Sequence, residues 1–235
     1  MKINEDSKSV PGCDYIYKEK YQIECVCSSG GNIIKNGLCH FRGSGIFDGN
    51  KKETILLTRL TSSLLDKKRK YETDVINNYI NKNKPYIIFL SLGELREKYP
   101  RPHKYYGFML NKILMGVDHP FISLDMQKGK RAEEGFTYKK EIIKHNDSSV
   151  PCNIFKNQEY SNISAILYTN ARSLEEYNSD NTFLFINPFA KNKVKIKDFK
   201  GITYWNFNQE GFYVPRKNGK ILESEINKEF FDKIM

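Results

Sequence analysis

The sequence predicts an α/β fold with a mixed central β-sheet flanked by helices, on three observations. Residues 13–27 read as two strands joined by a tight charged turn. From Leu60 to Ile80 the apolar residues recur at helical spacing, and Tyr86-Ile-Ile-Phe-Leu-Ser-Leu92 is a continuous apolar run bounded by turn residues. Such a run suits a strand buried on both faces. Strand, long helix and buried strand together make a crossover unit of the kind that builds α/β layers. With 235 residues and neither an internal repeat nor a clear linker, the economical reading is one α/β domain over 1–235. Its core would occupy about residues 10–125, and residues 126–235 or so would extend the same sheet.

The hairpin carries the chemistry. With Lys18-Glu19-Lys20 as the turn, antiparallel pairing sets Tyr17 opposite Tyr21, Ile16 opposite Gln22, Tyr15 opposite Ile23 and Asp14 opposite Glu24. Side chains alternate along a strand. Cys13, Tyr15, Tyr17, Tyr21, Ile23, Cys25 and Cys27 therefore share a core-like face, and Asp14, Ile16, Gln22, Glu24 and Val26 share a mixed one. Two facing carboxylates repel unless a proton or a cation relieves them. A hard divalent ion with oxygen ligands would do so, and so would solvent on an edge hairpin.

In the helix, Leu60, Leu64, Tyr71, Val75 and Tyr79 recur at steps of three and four, with Leu65, Ile76 and Ile80 widening the stripe. Lys68 interrupts the stripe and Lys67 lies at its edge. A lysine on the core side either snorkels or meets a partner, and Asp14 and Glu24 are the partners at hand. Lys82-Asn-Lys-Pro85 ends the helix.

Around these elements, residues 1–12 read as a polar loop, and a first strand so near the start raises the question of a trimmed N-terminal portion. Residues 28–49 form a Gly-rich connection without GxxxxGK[ST] or GxGxxG, which gives a phosphate-cradling loop no support. Thr54-Ile-Leu-Leu57 is a strand or a helix lead-in. Tyr105–Met115 reads as a shorter helix, Pro120–Leu124 as a strand, Phe136–Ile143 as a strand or hairpin arm, and Ile163–Tyr168 and Phe183–Ile186 as buried strands. A helical turn is expected at Ala171–Tyr177, edge strands at Ile202–Phe207 and Gly211–Val214, and a charged helix from about Glu223.

A formal charge of +10 fits an anionic partner, nucleic acid being the usual one, although an abundance of Lys, Asn and Ile also follows from compositional bias. No run approaches the ~18 apolar residues of a membrane span, and no signal peptide opens the chain, so the expected location is cytoplasmic with no membrane partner. Five cysteines at irregular spacing make no disulfide framework. Cys25-Val-Cys27 with Cys39-His40 is a poor zinc set, the first pair being too closely spaced; buried small hydrophobes is the better reading. His40, His103, His119 and His145 accompany no nucleophile motif.

The order of these features resembles the PD-(D/E)XK, or restriction-endonuclease-like, superfamily over roughly the first 125 residues. The resemblance implies that Asp14 and Glu24 bind magnesium or manganese and that a nearby lysine orients or activates the attacking water. It implies a restriction-endonuclease-like core with extra C-terminal strands and a magnesium-dependent endonuclease acting on DNA, with a homodimer as one arrangement. One branch of the superfamily carries Gln-x-x-x-Tyr on the following helix, and Lys67-Lys-Arg-Lys-Tyr71 looks like a variant of it. Val26, however, stands where the family places its lysine, and Cys13 where it places proline. Lys67 or Lys68 is then the substitute, with Tyr71 positioning it, stacking on substrate or simply filling the core. The alternative is a catalytically inactive nuclease fold that binds nucleic acid or a protein.

Overall fold

In a computed structural model of the protein, residues 2–3, 11–27, 49–92, 103–143, 148–169, 171, 177–179, 181–207 and 213–222 are described. Residues 28–48 of the Gly-rich connection, His40, His145, most of the helical turn expected at 171–177 and the helix expected from about Glu223 lie outside them. The hairpin forms with the expected register. Strand β2 (Tyr15–Tyr17) pairs antiparallel with β3 (Tyr21–Cys27), matching Tyr17 with Tyr21 and Tyr15 with Ile23. Lys18 and Glu19 both take positive φ in the turn, at 50° and 55°, a conformation that L residues other than Asn, Asp and Gly rarely adopt. A two-residue strand β1 (Lys2–Ile3) pairs with β2.

Helix α1 runs over Gly49–Ile76, starting earlier than its stripe predicts and ending sooner. Thr54-Ile-Leu-Leu57 belongs to it. Leu56, Leu57, Leu60, Thr61, Leu64, Tyr71 and Asp74 are buried, whereas Ile76 and Tyr79, expected on the apolar stripe, are exposed. The helix stops because Asn78 enters the left-handed region at φ 61°, and the Tyr79 and Ile80 amides turn back to the Asp74 carbonyl at 2.8 and 3.3 Å. Asparagine is the non-glycine residue best suited to that terminating position.

After α1, β4 (Tyr86–Ser91) runs parallel to β3, aligning Gln22 with Tyr86 and Glu24 with Ile88. The crossover expected from the sequence is therefore present. Helix α2 (His103–Met115) is followed by β5 (Val117–Asp125) and β6 (Lys130–Tyr138), which pair only with each other, and by the hairpin β7 (Glu141–Ile143) with β8 (Ser149–Pro151). Gly116 ends α2 at φ 71°, its amide donating to the Lys112 carbonyl.

The chain then returns to the main sheet. β9 (Ile163–Thr169) lies parallel to β4, β10 (Thr182–Ile186) antiparallel to β9, β11 (Thr203–Phe207) parallel to β10, and β12 (Tyr213–Lys217) and β13 (Lys220–Ile221) complete the edge. The order among the described residues is β1-β2-β3-β4-β9-β10-β11-β12-β13, a mixed nine-stranded sheet that β9–β13 extend, whereas β6, β7 and β8, within the residues 126–235 expected to extend it, pair outside it.

The chain divides into two compact units. The first takes residues 1–29, 67–100 and 161–235, and the second 30–66 and 101–160. In the first, one face of the sheet carries a core of Tyr21, Ile87, Ala165, Leu184, Val194 and Phe199, with Tyr17, Ile23 and Leu167 packed against it. The opposite face carries Ile88, Ile166, Phe185 and Trp205, the last two stacked with ring centroids 5.5 Å apart. Tyr71 of α1 meets Tyr86 of β4 there, at 4.6 Å between centroids.

Candidate functional site

The face of β3 expected to be a mixed surface is its most buried. Gln22 is 4% exposed and Glu24 1%, because the end of α1 covers them. Gln22 is satisfied locally, giving its amide to the Asn81 carbonyl at 2.9 Å and accepting from the Asn81 amide at 2.8 Å. Glu24 is in a different position. Its neighbours across the sheet, Ile88, Ile166 and Phe185, are apolar, so nothing in its row of the sheet solvates a charge.

Two lysines of α1 provide what the sheet does not. The Lys67 ammonium donates to Glu24 Oε1 at 2.5 Å, and the Lys70 ammonium donates to Oε2 at 2.8 Å. Lys70 also donates to the Gly12 carbonyl at 2.5 Å and stands 3.2 Å from Asp74 Oδ2. Burial pulls its pKa down, but the hydrogen bond and charge of Glu24, with those of Asp74, outweigh burial and hold it above the ordinary lysine value. Lys70 is thus a fixed cation. Gly12 presents its carbonyl from φ 117°, a conformation a side chain would strain.

Asp14 lies just before β2 and is not a ladder partner of Glu24. One of its oxygens, Oδ2, accepts the backbone N–H of Cys25 at 2.6 Å, which fixes the carboxylate beside the residue that follows Glu24. The thiol of Cys25 is pushed up to about 12 by burial and then by Asp14 and Glu24, against the pull of Lys67. Cys13 is likewise raised, by burial first. These thiols stay protonated at neutral pH and are inert as nucleophiles. Cys27, expected to be a buried small hydrophobe, is exposed.

Of the residues singled out from sequence, the structure brings Glu24 and Lys67 into contact and fixes Asp14 at the backbone N–H of Cys25, next to Glu24 in the chain. Lys68 instead donates to Glu72 one turn along the helix, at 2.8 Å. Tyr71 is a core residue, 3% exposed against Tyr86, so the reading in which it stacks on substrate does not hold. Sequence reasoning missed Lys70, Asp74 and Tyr86. Burial drives the Tyr86 phenol far above its ordinary value, with the charges of Glu24 and Asp74 adding to the effect. The Tyr86 hydroxyl is buried without a hydrogen-bond partner among the described residues, and the buried Asp74 Oδ2 is held by its ion pair with Lys70. Lys70, Tyr71 and Asp74 lie three, four and seven residues after Lys67, a spacing that could have revealed them as one helix face.

Magnesium is bound through one or two carboxylates and keeps several waters. Asp14 and Glu24 supply that donor chemistry, and Glu24 would have to release an ammonium to take part. Among the described residues no group of three or more His, Cys, Asp and Glu side chains is arranged to hold a metal. The backbones of His103 and His119 fall in α2 and β5, distant in sequence from the hairpin.

The second unit holds a cavity of about 470 Å³ lined by Leu57, Lys112, Asp118, Lys139, Glu141 and Cys152, among others. Lys139 and Asp118 pair across 2.6 Å, and burial pushes the Cys152 thiol up to about 11. Sequence reasoning had not singled out this cavity. No helix among the described residues is long and apolar enough to cross a membrane. Comparison with protein-family models, with curated proteins and with solved structures finds no match to this chain.

Proposed function

We propose that the chain is a metal-dependent nuclease that hydrolyses DNA phosphodiester bonds, built on a restriction-endonuclease-like core. One observation carries the reading. The hairpin carboxylate Glu24 meets Lys67 from the helix that crosses over to the next parallel strand, with Asp14 held at the amide of the next residue, Cys25, and we read that helix lysine as the substitute for the one absent at Val26. A charged cluster beside an apolar row, with the buried Tyr86 hydroxyl lacking a hydrogen bond among the described residues, is poorly explained by stability alone. Such groups gather where binding or chemistry needs them.

Asp14 and Glu24 would hold magnesium or manganese, which supplies Lewis-acid stabilisation of a phosphoryl oxygen and an activated water. The chain's own residues have separable roles. Lys67, 20% exposed and without the second carboxylate and carbonyl contacts that hold Lys70, would offer its ammonium to a phosphate while staying tied to Glu24. Lys70 keeps the charge of Glu24 and Asp74 balanced. The Cys25 amide orients Asp14.

A second reading, an inactive nuclease fold that binds nucleic acid or a protein, is favoured by the occupation of both Glu24 oxygens by ammonium groups. Incubating plasmid and single-stranded DNA with the protein and magnesium or manganese separates the two. The nuclease reading expects cleavage that falls at least ~100-fold in Asp14→Asn, Glu24→Gln and Lys67→Met, each checked for native circular dichroism. Cleavage untouched by the two carboxylate substitutions would remove the site. Salt-sensitive binding without cleavage would favour the second reading.

A further inference from the structure

The segment Lys191-Asn-Lys-Val-Lys-Ile-Lys-Asp-Phe-Lys200 has no part in the site above, yet it places five lysines in ten residues. All five, Lys191, Lys193, Lys195, Lys197 and Lys200, are exposed, while Val194 and Phe199 between them are buried in the core of the first unit. The segment is fixed to the sheet along its length. The Lys191 amide donates to the Ser161 carbonyl at 2.8 Å, the Asn192 side chain to the Lys82 carbonyl at 2.7 Å, and the Lys195 amide to the Tyr21 hydroxyl at 3.1 Å.

These anchors also gather further charge. Asp198 accepts from Lys20 at 2.8 Å and lies 3.5 Å from Lys18, both in the turn between β2 and β3. Lys84, two residues after Lys82, donates to the Glu19 carbonyl at 2.9 Å. The acids within this group are Glu19 and Asp198, and the charge of Asp198 is already engaged by Lys20 and Lys18. Fixing so many like charges at one end of a sheet raises electrostatic self-repulsion, which lowers stability unless an anionic partner offsets it.

We propose that this lysine rim is a binding surface for the phosphate backbone of duplex nucleic acid. Lys191, Lys193 and Lys195 alternate with inward Asn192 and Val194, so the rim presents a row of ammonium groups at regular intervals on a rigid segment. Such a row suits a polyanion whose charges are themselves regularly spaced, more than a fluid lipid surface. The proposal deepens the reading above by naming a surface for its substrate, and rests on it for the choice of nucleic acid as the polyanion.

The test measures anisotropy of a labelled duplex of about 30 base pairs, in EDTA, between about 50 and 200 mM salt. The native protein is compared with the fourfold variant Lys191→Gln, Lys193→Gln, Lys195→Gln and Lys197→Gln, and with the same four positions changed to Arg. Each phosphate contact contributes about 0.9 to the slope of log affinity on log salt. The Gln variant should lose two or more units of slope and at least tenfold in affinity at ~100 mM salt, and the Arg variant should keep both. Equal affinity and slope for the native and Gln proteins would overturn the proposal, as would binding to phosphatidylserine vesicles without duplex binding. EDTA keeps the two readings apart. Lysine-dependent binding in EDTA, with no cleavage in the separate magnesium or manganese assay, upholds this surface against the nuclease reading, and cleavage in that assay with binding unaltered by the Gln substitutions does the reverse.

Discussion

Glu24 offers the sharpest energetic test, because a carboxylate 1% exposed is held by two ammonium groups that water can partly reach. Removing either one alone, by Lys67→Met or Lys70→Met, leaves Glu24 still paired. With the lysines 20% and 37% exposed, water competes for each contact, so each single loss should cost about 1 kcal/mol, below the ~1.5 kcal/mol at the low end for a hydrogen bond to a charged group. Removing both leaves an uncompensated buried charge, which costs about 3–5 kcal/mol. The double variant should therefore lose roughly 2 kcal/mol more than the sum of the singles. Adding Glu24→Leu to the double variant should recover most of that loss, since an apolar replacement of a whole buried ion group is near neutral. The assay is urea unfolding followed by the fluorescence of the single tryptophan, Trp205, which is buried in the same sheet. Additive single and double losses, or no recovery in the triple variant, would refute the account of Glu24 as a charge stabilised jointly by both lysines.

Three other outcomes follow from local geometry. Lys20, then Tyr21, hold the Asp198 carboxyl well below its ordinary value of 3.8, so its contribution is present above that value and is lost as pH falls below it. Melting temperatures between about pH 6 and pH 3 should fall less steeply in Asp198→Asn than in the native protein, and parallel curves would remove this linkage. Iodoacetamide at pH 8 should label exposed Cys27 in the folded protein while Cys25 and Cys152, with thiols near 12 and 11, react only after unfolding, as peptide mass mapping would read. Gly116→Ala should destabilise by roughly 1–3 kcal/mol, because a Cβ there would press on the Lys139 carbonyl and lie 2.9 Å from Asn153 Cβ. An unchanged thermal melt would show that the segment relaxes without cost.

The hairpin was legible because strand alternation and a three-residue charged turn leave one register that keeps Tyr17, Tyr21 and Ile23 on a common face. The crossover was legible because a continuous apolar run such as Tyr86–Leu92 has few homes other than a doubly covered strand. The helix ends were not. A stepped apolar stripe carries no sign that Asn78 will turn left-handed, so the stripe was continued through Tyr79 in steps that drifted from the real face. That drift selected Lys68 and passed over Lys70 and Asp74. The inversion of the Glu24 face has a similar origin. A strand sequence shows which residues share a face, but whether a polar face is wet or covered depends on the helix that crosses it, and here that helix brings its own cations. The separate pairing of β5 with β6 was also hidden, because a strand pattern does not name its partner.

The placement of β9 beside β4 has a consequence for synthesis of the chain. β4 is complete at Ser91, but its neighbour on the far side begins at Ile163, after the second unit's residues 101–160 have been made. At ribosomal rates of about 5–20 residues per second, the apolar edge of Tyr86–Ser91 stays unpaired for about 4–14 s. An open edge of that composition is a template for pairing with other chains. Heterologous production should therefore lose more protein to aggregation at high expression rates, where emerging chains are close together, than at low ones, even though the finished sheet covers this strand on both sides.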